Sequence, residues 1–348
     1  MKIAVYAIAK NEAANVEGWY ESAKEADEIV LLDTGSTDDT FELSKSLGIK
    51  TDQVIIDPWR FDHARNKALE LVSDDIDFCI ALDLDERLQP NWREAFKKVN
   101  PLTTRIKYHM TYFSDDEKIM WYWANRCHHR QKYFWQYAIH EQPTRFGKEV
   151  TQLLNFDVHH IPDEDKTRNY LEMLKEYTEL YPLIARYSLM YAKELLHQEY
   201  YDEAFEEFNR YFTLDDERKN VDYADIYRWM SMCKKDRLEY LLKSLKYSAR
   251  RETYVDIANH YNDRNMWEEA LKYFDLAFVI TEYPVDFTSF QYAWGELPFG
   301  VASMAAMNLQ QYDRAERYIE EGLRHYPDSE RLANNRKLIE INQMLSMV

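Results

Sequence analysis

Phe78-Cys79-Ile80-Ala81-Leu82-Asp83-Leu84-Asp85-Glu86 is an apolar run that ends abruptly in three carboxylates. The run reads as a strand. If strand geometry persists to its end, side chains alternate and Asp83 and Asp85 leave on one face. Two carboxylates at a strand's carboxyl end suit a divalent metal that also holds a phosphate. Mg²⁺ takes one or two protein carboxylates and keeps its other positions for water and substrate oxygens. In a chain with 62 acidic residues the same letters also describe a solvated loop, so the surroundings decide.

Working outward, short apolar runs alternate with helical patterns up to about residue 113. Strands are expected over 3–9, 28–32, 53–56 and 78–82, and helices over 15–24, from Thr37 to Leu47, and over 62–72. That βαβα order predicts an α/β fold with a mainly parallel sheet and helices on both faces. Ligands of such sheets bind beyond the carboxyl ends of the strands. Three polar segments fall there: Lys10-Asn11-Glu12, Asp33-Thr34-Gly35-Ser36-Thr37-Asp38 and Asp83-Leu84-Asp85-Glu86. Acidic loops placed at random would be spread over both rims.

Composition narrows the class. The 348 residues allow two or three domains, and 27 Tyr, 16 Phe and 9 Trp mark a folded chain rather than a disordered one. Seven Gly and nine Pro disfavour a loop-rich all-β chain. Cys79, Cys127 and Cys233 are too few and too scattered for a disulfide framework or a cysteine zinc site, which suits a reducing compartment. A net charge of −18 disfavours nonspecific binding to nucleic acid or anionic membranes. No stretch reaches the roughly 18 apolar residues of a spanning helix, and no signal-peptide pattern opens the chain. The expectation is a soluble, cytoplasmic protein with no membrane partner.

From about Asp165 the pattern is wholly helical and repeats. Ala204, Ala270 and Ala315 each follow an aromatic by three residues (Tyr201, Trp267, Tyr312) and precede a large apolar residue by four (Phe208, Phe274, Ile319). A small residue lies twelve earlier in each: Ala192, Ala258 and Ser303. A weaker copy centres on Leu238, with Leu242 and Leu245 following. The period resembles the tetratricopeptide repeat of about 34 residues, with an insertion around Pro284 to Pro298. The expected division is 1–164 for the sheet domain and 165–348 for the helical repeats.

Each remaining cluster has a functional and a plain reading. Asp33 could accept hydrogen bonds from a base or ribose, or simply belong to a turn before a helix. In Phe61-Asp62-His63-Ala64-Arg65-Asn66, either Arg65 or Asn66 could face a pyrophosphate, or Asp62 could cap the helix and pair with Arg65. Glu141, set among Tyr133, Phe134, Trp135 and Tyr137, could serve as a base or pair with Arg126 or Arg130. His159 or His160 could complete a metal shell, while Cys127-His128-His129-Arg130 lacks ligand spacing.

Ala9-Lys10-Asn11-Glu12, Glu28 through Asp38, Phe61 through Asn66 and Leu82-Asp83-Leu84-Asp85-Glu86 together resemble the GT-A glycosyltransferases of family 2. Ile139-His140-Glu141, His160 and Lys166 through Glu172 extend the likeness to the subgroup with tetratricopeptide-like repeats, which includes bacteriocin peptide S-glycosyltransferases. The resemblance implies a Rossmann-like GT-A domain, a nucleotide-sugar donor, UDP-linked by preference, and Mn²⁺ or Mg²⁺. It places Asp33 at the nucleoside with Ala9, Asn11 and Glu12 beside it, and Asp83 and Asp85 at metal and ribose, with Asp85 the direct ligand. His160 becomes the late metal ligand, Arg65 a donor contact, and Lys166 and Arg168 cover the diphosphate. Two departures stand out: Leu84 between the aspartates, where a small residue is usual, and Ile161-Pro162 in place of a Gly after His160.

The expected reaction is inverting transfer to a hydroxyl or thiol, with Glu141 as base and Glu86 in reserve. A peptide, protein or glycan acceptor is favoured, with modified DNA bases as another acceptor class and homo-oligomers through the repeats as a further expectation. The competing readings are a non-catalytic repeat scaffold on a degenerate nucleotide fold, and a nucleotidyltransferase. The latter lacks the Gly-rich basic loop it needs after the first strand.

Overall fold

The computed structural model describes residues 1–114, 117–162, 170–215, 222–283 and 290–346. Two compact units divide the chain, Met1–Asn169 and Tyr170–Val348.

In the first unit, β1 (Ile3–Ala9), α1 (Ala13–Ala23), β2 (Glu28–Asp33), α2 (Thr40–Ser46), β3 (Lys50–Gln53), α3 (Phe61–Leu71) and β4 (Phe78–Ala81) alternate as the pattern predicts. They are followed by β5 (Glu86–Leu88), α4 (Trp92–Ala95), β6 (Arg105–Ser114), β7 (Glu117–His129), β8 (Tyr133–Gln136), β9 (Gln142–Arg145) and β10 (Thr151–His160). Eight strands form one sheet in the order β3-β2-β1-β4-β7-β6-β10-β5, and β8 and β9 form a hairpin. All pairs from β3 to β4 are parallel, as is β6 with β10. β7 and β5 run against the rest. The sheet is therefore mainly parallel.

Burial on both faces explains why the strands read as continuous apolar runs. Ile3, Val5 and Ala7 of β1 face Val16 and Trp19 of α1, and Ala4 and Tyr6 face Ala68 and Leu69 of α3 together with Trp135. Local chemistry shifts two boundaries. The second helix starts at Thr40, not Thr37, because Asp38 Oδ1 accepts from the Thr40 amide at 3.0 Å and stops the helix extending backwards. The third strand lies at Lys50–Gln53 rather than 53–56, because its backbone register is set against Val30 through Asp33.

The second unit contains α5 (Leu171–Leu180), α6 (Ala185–His197), α7 (Tyr201–Thr213), α8 (Tyr223–Met232), α9 (Leu238–Ser244), α10 (Arg251–Asn262) and α11 (Trp267–Val279). A short α12 (Gln291–Trp294) precedes α13 (Leu297–Asn308), α14 (Tyr312–His325) and α15 (Glu330–Ser346). The helices pair as tetratricopeptide-like hairpins: α6 with α7, α8 with α9, α10 with α11 and α13 with α14. Ala192, Ala204, Ala258, Ala270, Ser303 and Ala315 are all fully buried, so the small residues do sit where the paired helices meet. Five residues before the buried alanine of each strong repeat, Glu199, Asn265 and Gln310 adopt positive φ. The left-handed turn is thus common to all three, although only asparagine is a usual left-handed residue. The weaker copy is out of register: Leu241 and Ser244 are buried, whereas Leu242 is 39% exposed.

Candidate active site

The sheet's topology assembles the site. β1, β2, β4 and β10 all end on one rim, since β4 and β6 are both antiparallel to β7 and β10 is parallel to β6. The chain leaves β4 at Ala81, turns through Asp83 and Asp85, and returns as β5 alongside β10. That pairing sets His160 opposite Glu86 and lets the Ile161 amide donate to the Asp85 carbonyl at 3.0 Å. As a result His160 Nε2 lies 3.2 Å from Asp85 Oδ2. Residues 75 apart in sequence are brought together by one antiparallel pairing. Leu84, the unusual large residue between the aspartates, is buried in the main core and anchors the turn. Trp19 Nε1 pins the same turn through the Leu82 carbonyl at 3.1 Å.

Strand geometry does not last to Asp85, so the two aspartates take separate partners. Asp83 Oδ1 accepts from Arg65 Nη2 at 2.5 Å and Oδ2 from Arg126 Nη1 at 2.7 Å. Arg65 Nε also reaches Glu141 Oε1 at 3.0 Å, and Arg126 Nη2 reaches Glu86 Oε1. The outcome is an alternating chain of charge, Glu141–Arg65–Asp83–Arg126–Glu86. Burial opposes the charged form of Asp83, but Arg65 and Arg126 outweigh it and hold the carboxyl well below the usual carboxylate range. Burial likewise opposes the charge on Arg65, and Asp83 and Glu141 outweigh it.

Several expectations are resolved here. Glu141 pairs with Arg65, not with Arg126 or Arg130. Asp62 pairs with Arg60 rather than Arg65. Asn66 is taken up by the backbone of Trp135, giving its amide and accepting one in return, so Arg65 is left as the group that can face a ligand. Glu86 is 2% exposed, with Oε2 on the Asp83 amide and Oε1 on Arg126, and burial pushes its carboxyl up. Both oxygens hold the turn together, a poor arrangement for a reserve base. Lys166 and Arg168 lie outside the described residues.

At the other end of the rim Asp33 is fully buried. Its Oδ1 accepts from the Gly35 and Ser36 amides and from Gln53 Nε2, all within 2.9 Å, while Oδ2 has no partner. Burial opposes its charge, yet the hydrogen bonds from Ser36 and Gln53 hold its carboxyl below the ordinary range. Gly35 turns at φ +97°, and a Cβ there would meet Ile55 at 2.5 Å. Asn11, itself at φ 56°, ties the first loop to the second through Ser36 and Thr37. Glu12 Oε2 accepts from Asn15 at the start of α1. The Ala9 carbonyl accepts from both the amide and the hydroxyl of Thr34, so Ala9 shapes the rim without reaching out.

A divalent cation fits the Asp85–His160 pair. Adjacent ligands of an octahedral ion bonded at about 2.1 Å stand about 3 Å apart, and the observed separation is 3.2 Å. Among the described residues there is no group of three or more His, Cys, Asp or Glu able to hold a metal. With Asp85 and His160 as its ligands, a bound Mg²⁺ or Mn²⁺ would keep further positions for water and substrate oxygens.

Arg126 is the residue that sequence reasoning missed as a site group. Between Ile106 and Tyr108 the register with β7 shifts, so that two residues, Asn125 and Arg126, oppose one on β6. This bulge aims Arg126 at the rim, and strand alternation alone gives no sign of it.

Comparison with known proteins bears on the same segment. Residues 5–100 match the model of the family described as glycosyl transferase family 2. The first unit carries a family 2 glycosyltransferase domain. This chain is 29% identical over 134 residues to an uncharacterized glycosyltransferase of Rickettsia prowazekii, covering 36% of this chain and 44% of that protein. It is 32% identical over 108 residues to one from Rickettsia bellii, covering 31% and 35%. The chain thus spans less than half the length of these relatives.

Among solved structures, the chain is similar to glucosyl-3-phosphoglycerate synthase from Mycobacterium tuberculosis in complex with Mn²⁺, UDP and glucosyl-3-phosphoglycerate. That likeness has 24% identity and a TM-score of 0.27, covering 32% of this chain and 44% of that one. It is also similar to the C-terminal part of a TPR repeat-containing protein from Cytophaga hutchinsonii, at 12% identity and a TM-score of 0.43, covering 51% and 66%.

Proposed function

We propose that this chain is a metal-dependent glycosyltransferase that moves a sugar from a nucleoside diphosphate, UDP-linked by preference, to an acceptor hydroxyl or thiol with inversion. The observation that carries the reading is the rim itself. Asp33 presents a buried, unpartnered carboxylate oxygen there, and Asp85 and His160 stand at ligand spacing beyond β4 and β10.

Each residue then has a distinct task. Asp33 Oδ2 accepts an N–H or O–H from the nucleoside, because leaving a buried acceptor unpaired costs on the order of 1–3 kcal/mol, which a matching donor recovers. Asp85 and His160 would hold the cation, whose chemistry when bound is to offset the charge of the departing diphosphate. Asp83 orients Arg65 and Arg126, and faces ribose or water. Arg65 Nη1 is buried without a partner, which suits a guanidinium awaiting a phosphate or hydroxyl oxygen. Glu141 removes the acceptor's proton, with Arg65 Nε fixing its carboxylate. A peptide, protein or glycan acceptor suits the helical repeats.

The test is thermal shift with a panel of nucleotide sugars, with and without Mn²⁺. One UDP-sugar should raise Tm in the presence of metal. A panel without any stabilising member ends the donor-site reading. Glu141→Gln should lower transfer by about a hundredfold or more while nucleotide binding persists. Near-normal turnover in that variant removes Glu141 from the base role.

A further inference from the structure

A second site lies in the helical unit, in the insertion that lengthens one repeat. Residues 280–296 join α11 to α13, and the described part is fastened along α10. Arg251 donates to both ends of the insertion, through Nε to the Ala293 carbonyl at 2.8 Å and through Nη1 to the Ile280 carbonyl at 3.0 Å. Glu252 Oε1 accepts from the Phe290 amide at 3.1 Å and from Trp294 Nε1 at 2.7 Å. Asp256 accepts from the Tyr292 hydroxyl at 2.7 Å. These bonds fix Trp294 as one wall of a cavity of about 440 Å³, whose other walls include Phe278, Phe299, Tyr318 and Tyr326.

Arg251 also lines that cavity, and the neighbouring buried Glu252 offsets its charge only in part, since burial outweighs that attraction and pushes the guanidinium's pKa down. It is 7% exposed, lies over the rings of Trp294 at 4.7 Å and Phe278 at 5.5 Å, and among the described residues makes no ion pair with a carboxylate. The cavity's own acids are engaged elsewhere: Asp275 with Arg314 and Tyr318, and Glu321 with Arg324 and His325. α10 and α13 begin at the cavity while α11 and α14 end there, so helix dipoles oppose one another and the guanidinium sets the sign. A buried cation whose nearest carboxylate offsets it only in part is costly, and an anion that meets it directly is favoured. With one partly offset guanidinium and two acids on the same walls, a singly charged ligand fits better than a phosphate dianion. The volume lies within the usual range for small-ligand sites, roughly 300–1,000 Å³.

We propose that this cavity binds a compact monocarboxylate, with its acid group against Arg251 and its apolar or aromatic body among Trp294, Phe278 and Phe299. This site is independent of the nucleotide-sugar reading of the first unit. The probes are 3-phenylpropionate, its neutral isostere 3-phenylpropanamide, and the peptide Gly-Gly-Phe with a free or amidated end, titrated calorimetrically into the full chain. Each acid should bind at least tenfold more tightly than its amide. A tighter peptide identifies the source as a chain end, and a tighter small acid identifies a free metabolite-sized ligand. Equal binding of acid and amide, or no binding of either acid, overturns the proposal.

Arg251→Met should abolish the preference, but it also removes the ties to Ile280 and Ala293. Val279→Trp therefore supplies the test of location. Val279 lines the cavity and is 78% exposed, so a larger side chain there should leave the fold and its helical circular dichroism intact. It should weaken acid binding at least fivefold. Unchanged affinity would place the acid elsewhere and refute the assignment.

Discussion

Both units bury charged residues, but to opposite ends. On the sheet's rim, Glu141, Arg65, Asp83, Arg126 and Glu86 form a linked chain, and around it Asp33 Oδ2, Arg65 Nη1 and His160 Nδ1 are buried without partners. In the helical unit, Arg228 is enclosed by Asp256, Tyr292 and the Phe290 ring, and this cluster clamps an insertion to α10. A buried ion pair is weak evidence for either stability or function by itself. What separates the two is where the unspent hydrogen-bonding capacity lies. On the rim it collects beyond several strand ends, whereas Arg228 and Asp256 bond to each other and to Tyr292, and the orphaned atoms near them, Glu252 Oε2 and Arg237 Nε, converge on no strand-end rim.

The comparison breaks if the two regions fail to dissociate experimentally. Asp85→Asn should lower donor turnover about a thousandfold, several kcal/mol of barrier, with Tm little changed. Arg228→Met should do the reverse. Removing one partner of a buried pair costs up to about 3–5 kcal/mol, and Asp256 would keep only Arg237 at 3.9 Å and the Tyr292 hydroxyl. Helical unfolding at 222 nm should therefore move to lower temperature, while donor turnover per folded molecule is retained. A Tm loss in the first variant or a turnover loss in the second would merge the two classes.

A subtler substitution sharpens the rim. Asp33→Asn keeps an oxygen for Gly35, Ser36 and Gln53 but replaces the unpartnered acceptor with a donor. UDP affinity should fall roughly ten- to a hundredfold, about 1.4–3 kcal/mol, by equilibrium titration. Unchanged affinity would mean that the orphaned oxygen does not meet the nucleoside.

How much of this was legible in the letters follows from the same physics. Asp33, Asp83 and Asp85 could be placed because parallel strands between helices bring their carboxyl ends to one rim, and chain order alone implies that. The Asp85–His160 contact was foreseen only as a shared role, since it depends on β5 returning beside β10. Arg126 was not foreseen as a rim group, because a bulge breaks the alternation that sequence reading relies on. In the helical unit the buried alanines declared themselves through a fixed period. The charges on α10 did not, because an amphipathic pattern assigns Arg251, Glu252 and Asp256 to solvent. They are buried because the insertion packs on Arg251 and Glu252, and because Asp256 meets Arg228 of α8 as well as Tyr292.

The sheet unit also carries an acid sensitivity that sets it apart from its own rim. His128 is fully buried, with Nε2 at 2.9 Å from the Tyr6 hydroxyl, which in turn accepts from Trp135 Nε1 at 2.6 Å. Tyr6 therefore donates to a neutral imidazole, and burial pushes the His128 pKa down to about 3. In the unfolded chain the imidazole titrates near 6.5. Below that value the unfolded state takes up a proton that the folded state refuses. The stabilising contribution is thus present above pH 6.5 and lost as pH falls towards 3. At pH 5.5 the loss is on the order of 1 kcal/mol. His128→Gln retains an acceptor for Tyr6 but does not titrate, so its stability should change less between pH 7.5 and 5.5 by that amount. Amide hydrogen exchange across β1, β7 and β8 measures the difference within this unit alone. Identical pH dependence in the two proteins would show that acid acts on the sheet unit through its paired carboxylates instead.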